Sequence, residues 1–152
     1  GKFLSETDGI CFVDLHLELF YGGLFEPDNR FLRSCKIKMI KNEAIKLTEG
    51  TQKRDLVRVE DVVEVIARLM LSNYLIGYQL LPVGSGESYS IREIMCFLKE
   101  KIGSNSELLF GAVPSRSGEP DTLADISWYK DIKYKPQYDL FSGLDDYANH
   151  IL

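Results

Sequence analysis

An α/β fold is what this sequence predicts, and three observations predict it. Short apolar or alternating stretches of strand length take turns with longer stretches of helical period. The helical stretches carry start and stop signals: Glu60 and Asp61 at one entry, Ser90 with Glu93 at another, Gly103 at an exit. The continuous apolar run Ile10-Cys11-Phe12-Val13, alternating onward through Leu15 and Leu17, fits a strand buried on both faces of a parallel sheet.

Taken in order, Lys2 to Glu6 reads as the last turns of a helix that Asp8-Gly9 ends. After the first strand, Phe20-Tyr21-Gly22-Gly23 reads as a turn, and Glu26-Pro27-Asp28-Asn29 as a helix entry. The helix behind it, from Arg30 to Lys41, carries Phe31, Cys35, Met39 and Ile40 on one side and basic residues around the rest. Ile45 to Thr48 and Asp55 to Val59 alternate like short strands. The helix Glu60 to Leu71 follows, with Val62, Val63, Val65, Ile66, Leu69 and Met70 as its apolar positions. Tyr78 to Val83 is an apolar strand that ends in Gly84-Ser85-Gly86. Ser90-Ile91-Arg92-Glu93 is a capping box, and its helix stops at Gly103. Leu108 to Phe110 is a strand candidate and Val113 to Pro120 a loop, with short helices over Ile126 to Ile132 and Leu140 to Ile151.

The 152 residues suit one unit or part of a larger one. A net charge of −5, with both signs interspersed, argues against a nucleic-acid surface. No apolar run approaches membrane-spanning length, and no charged-then-apolar leader is present, so no membrane role is expected. Cys11, Cys35 and Cys96 read as free core thiols of a reducing, cytoplasmic protein rather than as disulfides or a zinc site. His16 and His150 lack neighbours with ligand spacing, so no metal is expected.

Five motifs then occur in a fixed order. The first is Gly50-Thr51-Gln52-Lys53-Arg54-Asp55 leading into Val59-Glu60-Asp61-Val62-Val63. It is preceded by Leu17-Glu18-Leu19-Phe20-Tyr21-Gly22 and followed by Val83-Gly84-Ser85-Gly86 with Ser90-Ile91-Arg92-Glu93. Arg116-Ser117-Gly118-Glu119-Pro120 with Ala124-Asp125-Ile126-Ser127 comes next, and Tyr134-Lys135-Pro136 with Gly143-Leu144 closes the series. Together they resemble the carboxyl-terminal portion of the NAD-dependent epimerase/dehydratases, extended short-chain dehydrogenases that remodel nucleotide-sugars. The sequence departs from that pattern at Arg58, where the family has an aromatic, at Pro82 in place of asparagine, and at Ser117 in place of proline.

The resemblance implies the last strands of an extended Rossmann-type dehydrogenase plus a small mixed α/β substrate-binding subdomain. Residues 1–27 would end the dinucleotide-binding domain, and 28–152 would be mostly substrate-binding, with a returning strand near 78–83. It implies a nucleotide-diphosphate sugar as ligand, gripped through its diphosphate by Arg54 and Arg116, since arginine matches phosphate bidentately. Asn29, Phe31 and Leu32 fall where the family covers the nucleotide, and Tyr21 near the cofactor or sugar. Asp61 reads as a helix-start residue. NAD or NADP would serve the intact enzyme, with none expected on this chain alone. The glycine-rich cofactor loop and the catalytic Tyr/Lys helix are expected to lie outside this chain, so no catalytic residue is assigned and the chain alone is expected to be inactive. Its partner would be a missing amino-terminal half or a second copy. Tyr129 and Lys133 have the spacing of a catalytic pair but fall in the closing helix region, and Gly84-Ser85-Gly86 lacks the third glycine of a dinucleotide fingerprint. A stand-alone nucleotide-sugar-binding or assembly module is the alternative.

Overall fold

Eight strands and four α-helices follow one another along the chain in a computed structural model that describes residues 11–72, 77–116 and 118–149. The expectations for Lys2 to Ile10, for Ser117 and for the end of the last helix at His150 and Ile151 lie outside the described residues. The strands are β1 (Phe12–Leu17), β2 (Leu19–Tyr21), β3 (Ile45–Lys46), β4 (Lys53–Arg54), β5 (Leu56–Arg58), β6 (Tyr78–Val83), β7 (Tyr89–Ser90) and β8 (Leu108–Leu109). The helices are α1 (Phe31–Ile40), α2 (Val59–Leu71), α3 (Ile91–Ile102) and α4 (Leu140–Asn149), with a 3-10 turn at Ser127–Lys130. Strands β1 and β6 pair in parallel from Phe12 opposite Tyr78 to Leu17 opposite Val83. β2 with β5 and β3 with β8 are parallel pairs as well, whereas β4 and β7 run antiparallel.

Local chemistry accounts for the helix ends. Ser90 accepts from the Glu93 backbone N–H while the Glu93 carboxylate reaches back to the Ser90 N–H, closing the expected capping box. Gly103 at the other end has φ 68°, a left-handed cap that a side chain would strain. Helix α2 starts one residue earlier than expected and keeps Glu60 and Asp61 in its first turn, facing the positive end of its dipole.

Two apolar cores share strand β5. Leu56 faces a core with Leu32, Met39, Ile94, Leu98 and Leu144, which joins α1, α3 and α4. Its neighbour Val57 faces the other way, into a core with Val65, Leu81, Val83, Trp128 and Tyr129 under the β1–β6 pair. Alternation along one three-residue strand thus divides the molecule into a helical side and a sheet side.

Three expectations are corrected here. The turn expected at Phe20–Gly23 begins later, because Phe20 and Tyr21 belong to β2 and pair with β5. Strand β1 is covered on one face only: Val13 and Leu15 pack on the second core, while Phe12 is 39% exposed and Leu80 on the paired strand, opposite Asp14, is 49% exposed. A continuous apolar run specifies that both faces can be buried, not that this chain supplies both covers. Cys35 alone of the three thiols is buried; Cys11 and Cys96 lie on the surface, and none forms a disulfide. On α3 the buried face is Ile91, Ile94, Met95 and Leu98, which turns Cys96 outward.

The outer side of α2 is apolar too, with Val63 60% and Met70 74% exposed. Apolar faces of this kind favour association. The chain alone is therefore expected to form concentration-dependent oligomers in analytical ultracentrifugation, reduced by Val63→Glu with Met70→Glu. A monodisperse monomer across the concentration range would contradict this.

Candidate functional site

The site begins with two adjacent residues that point in opposite directions. Asp55 is fully buried, and its carboxylate accepts from the Ser85 N–H (2.8 Å) and hydroxyl (2.6 Å), the Gly86 N–H (3.1 Å) and the Ala124 N–H (3.1 Å). A buried carboxylate needs such donors to offset its desolvation. Gly84 makes the arrangement possible: a Cβ there would lie 2.5 Å from Asp55 Oδ2 and 2.6 Å from the Ala124 methyl.

Arg54 turns to the opposite side, toward a cleft of about 460 Å³. The cleft is lined by Phe31 at the start of α1, by Lys46 of β3 and Thr48 just beyond it, by Gln52, and by Arg116 and Glu119 from one loop. That loop is pinned at both ends. On the incoming side the Val113 N–H donates to the Leu47 carbonyl (3.0 Å). On the outgoing side Lys53 N–H donates to Asp121 Oδ1 (2.7 Å), and Thr122 N–H donates to the Lys53 carbonyl (3.2 Å). The same two strands that hold Arg54 and Lys46 therefore deliver Arg116 to them.

Three cations and one carboxylate line the cleft, leaving two positive charges in excess. Arg54 donates through Nη1 to the carbonyls of Lys53 and Pro120, both at 2.7 Å, and through Nη2 to the Glu119 carboxylate. These bonds among the described residues engage three of the five guanidinium N–H groups, and two remain for a ligand. Thr48 and Gln52 hold each other through the Gln52 amide and the Thr48 hydroxyl at 3.0 Å. Chemically, the cleft offers a dianion site with an aromatic ring and a small polar pair at its wall.

Arg54 and Arg116 are thus brought to one cleft, and Phe31 joins them. Leu32 is not among its lining residues: it is buried in the first core, because it falls on the inward side of α1 with Cys35 and Met39. Asn29 is exposed and does not line the cleft. Tyr21 is a core residue, stacked edge-on against Tyr147 at 5.4 Å, since the alternation of β2 turns it toward α4. Its phenol is held well above the usual range by burial, with a smaller opposing effect of Arg58. Asp61 is more than a helix start: it is buried and accepts from the Tyr134 hydroxyl and from the Gln137 N–H (3.1 Å), tying the closing segment to α2. Lys46, Thr48, Gln52 and Glu119 were not singled out from sequence. The alternation of Ile45 and Leu47 (inward) with Lys46 and Thr48 was the signal available for two of them.

Tyr129 is closed inside the second core. Its hydroxyl donates to the Gly84 carbonyl (3.0 Å) and accepts from the Gly84 N–H (3.2 Å). Lys133 is exposed at the surface. The 84–86 glycine turn gives its Ser85 and Gly86 N–H groups to Asp55, so it offers no cradle for a dinucleotide pyrophosphate. The described residues hold no cluster of three or more metal-ligating side chains, and no helix among them is long and apolar enough to cross a membrane.

The fold and cleft define an α/β chain with a cleft whose lining carries an excess of positive charge. No family model matches the chain. It is 27% identical over 143 residues to CDP-abequose synthase of Salmonella muenchen, covering 93% of this chain and 48% of that protein. It is 32% identical over 152 residues to a putative UDP-glucose 4-epimerase of Methanocaldococcus jannaschii, covering 97% and 48%. Among solved structures, UDP-glucuronic acid 4-epimerase from Bacillus cereus, in complex with UDP-glucuronic acid and NAD, superposes with a TM-score of 0.82 at 25% identity, over 96% of this chain and 48% of that one. The chain spans about half the length of the curated relatives it matches. It is related to the NAD-dependent epimerase/dehydratases and has the fold of their carboxyl-terminal portion.

Two measurements check the structural assignments around the cleft. Asp55→Asn would set an amide N–H₂ against donor N–H groups and is expected to cost about 3 kcal/mol in denaturant unfolding. Full retention of stability would show that the carboxylate is not the anchor. Tyr129→Phe is expected to cost roughly 1–2 kcal/mol at neutral pH. Burial pushes the Tyr129 phenol from 10.0 up to about 12. A raised folded-state value means that its contribution is complete below pH 10 and is lost as pH rises toward 12. The wild type should accordingly lose stability relative to the Phe variant over that window, as read by unfolding at stepped pH.

Proposed function

We propose that this chain is the nucleotide-sugar-binding portion of an NAD(P)-dependent sugar epimerase, dehydratase or reductase. Arg54 and Arg116 grip the ligand's diphosphate, and Phe31 lies against the nucleotide. The observation that carries the reading is the convergence of the two arginines, from a strand and a distant loop, on one cleft. The relatives' names speak of CDP- and UDP-linked sugars, which supports a nucleoside diphosphate sugar as the ligand class.

In this reading the chain binds, orients and screens the substrate, and residues 1–27 with the β1–β6 pair form the end of the cofactor domain. When bound to the intact enzyme, NAD(P) supplies reversible hydride transfer at a sugar carbon. The described residues of this chain do not fit its pyrophosphate, so the chain's own contribution is to ligand affinity and position. The exposed apolar face of β1–β6 and the outer side of α2 would be covered by a companion amino-terminal half, in a cytoplasmic enzyme.

Isothermal titration with nucleoside diphosphate hexoses tests the site. Arg116→Ala is expected to weaken binding ten- to a hundredfold, roughly 1.5–3 kcal/mol for a charge-assisted phosphate contact, while the thermal midpoint stays put. Arg54→Ala should do the same at some cost to stability, because Arg54 also holds Pro120. Unchanged affinity in both variants would refute the diphosphate role.

A further inference from the structure

The cleft contains one residue that works against an anion. Glu119 lines it beside Arg54 and Arg116, and its carboxylate is bonded to the Arg54 guanidinium. It cannot easily leave. Pro120 follows it and is held through its carbonyl by Arg54 Nη1 (2.7 Å), and Asp121 is bonded to the Lys53 N–H (2.7 Å). Arg116 stands three residues before it on the same loop. The cleft is therefore built with a fixed negative charge among its cations.

We propose that Glu119 is a specificity-determining residue that tunes the cleft to an esterified nucleoside diphosphate and against the free nucleoside diphosphate. This rests on the reading of the cleft as a nucleotide-diphosphate site. With Glu119 in place the lining carries two positive charges in excess, which matches the two negative charges of a diphosphate esterified at both ends. A free nucleoside diphosphate ends in a phosphate monoester whose second pKa is about 6, so above neutral pH it brings a third charge. That charge must be accommodated within a few ångströms of a carboxylate that is itself held in place, and like charges at such range repel. Rejection by a built-in repulsive group is a recognised route to selectivity. Its purpose here is concrete: a free diphosphate is what remains when the sugar is lost, and it would otherwise occupy the same arginines.

Glu119→Gln separates charge from geometry, because the amide oxygen can still accept from Arg54 Nη2. The experiment measures the dissociation constants of UDP-, CDP-, dTDP- and GDP-glucose and of the four free diphosphates at pH 8, on the full chain. The ratio of free-diphosphate to sugar-diphosphate constants is expected to fall about three- to tenfold in Glu119→Gln, through tighter binding of the free diphosphate. Glu119→Asp, which keeps the charge, should retain the wild-type ratio. An unchanged ratio in Glu119→Gln, or equal weakening of both ligand types, would assign Glu119 to holding Arg54 alone and overturn the proposal. If the wild type binds neither ligand type, or binds them without loss in Arg116→Ala, the reading of the cleft itself has failed and the proposal falls with it. A selectivity change with Arg116→Ala still disabling both ligands supports the two together.

Discussion

One buried carboxylate organises this molecule. Asp55 draws together three segments distant in sequence: its own strand approach, the turn at Gly84–Gly86 and the segment beginning at Ala124. A carboxylate in an apolar interior is tolerated only when donors surround it, and here they are three backbone N–H groups and the Ser85 hydroxyl. The same bonds leave no freedom in the position of β4. Because successive side chains on a strand point to opposite faces, fixing Asp55 inward fixes Arg54 outward. Arg54 is positioned by its neighbour's burial.

A second tie acts at the other end of β5. Arg58 lies over the Tyr138 ring at 4.3 Å and pairs with Glu60 at 3.1 Å and with Asp146 of α4. The planar guanidinium keeps the stacking function of an aromatic and adds charge pairing. Gly143 leaves room for it: a Cβ there would meet the Tyr21 hydroxyl and, at 3.2 Å, the Arg58 side chain. The closing Gly143-Leu144 pair thus has a packing reason, with the glycine admitting Arg58 and Tyr21 and the leucine filling the first core.

Much of this was legible in the sequence, and the reasons are local. The capping box, the Gly103 stop, the Tyr78–Val83 strand and the division of labour between Arg54 and Asp55 each follow from a rule spanning a few residues. What failed concerned which face receives a cover. Leu32 sits beside Phe31, which lines the cleft, yet one step of helical rotation sends it into the core, and Tyr21 on β2 packs into the same core against Tyr147. Cys11 and Cys96 have apolar neighbours without sharing their side of the element. The apolar run of β1 suits burial on both faces, and its exposed face agrees with a chain that supplies few covers for it. The cleft residues Lys46, Thr48 and Gln52 belong to the same class, since their polarity reads as ordinary surface until the loop at Val113–Pro120 is seen to fold over them.

The position of the cleft relative to the two cores bears on how such a chain can work. Its apolar walls come largely from elements of the first core: Leu19 of β2, Phe31 of α1, Leu47 beside β3 and Ile91 of α3. The second core carries exposed apolar surface on β1, β6 and the outer side of α2. Strand β5 and the Asp55 cluster stand between them, so in the proposed function a ligand at Arg54 and a companion on the sheet would be referred to one partition. Hydride chemistry between two bound molecules demands placement within fractions of an ångström. A wall braced from both sides, by bonds to Asp55 and by Arg58 across to α4, is what the proposed function would draw on to meet that demand.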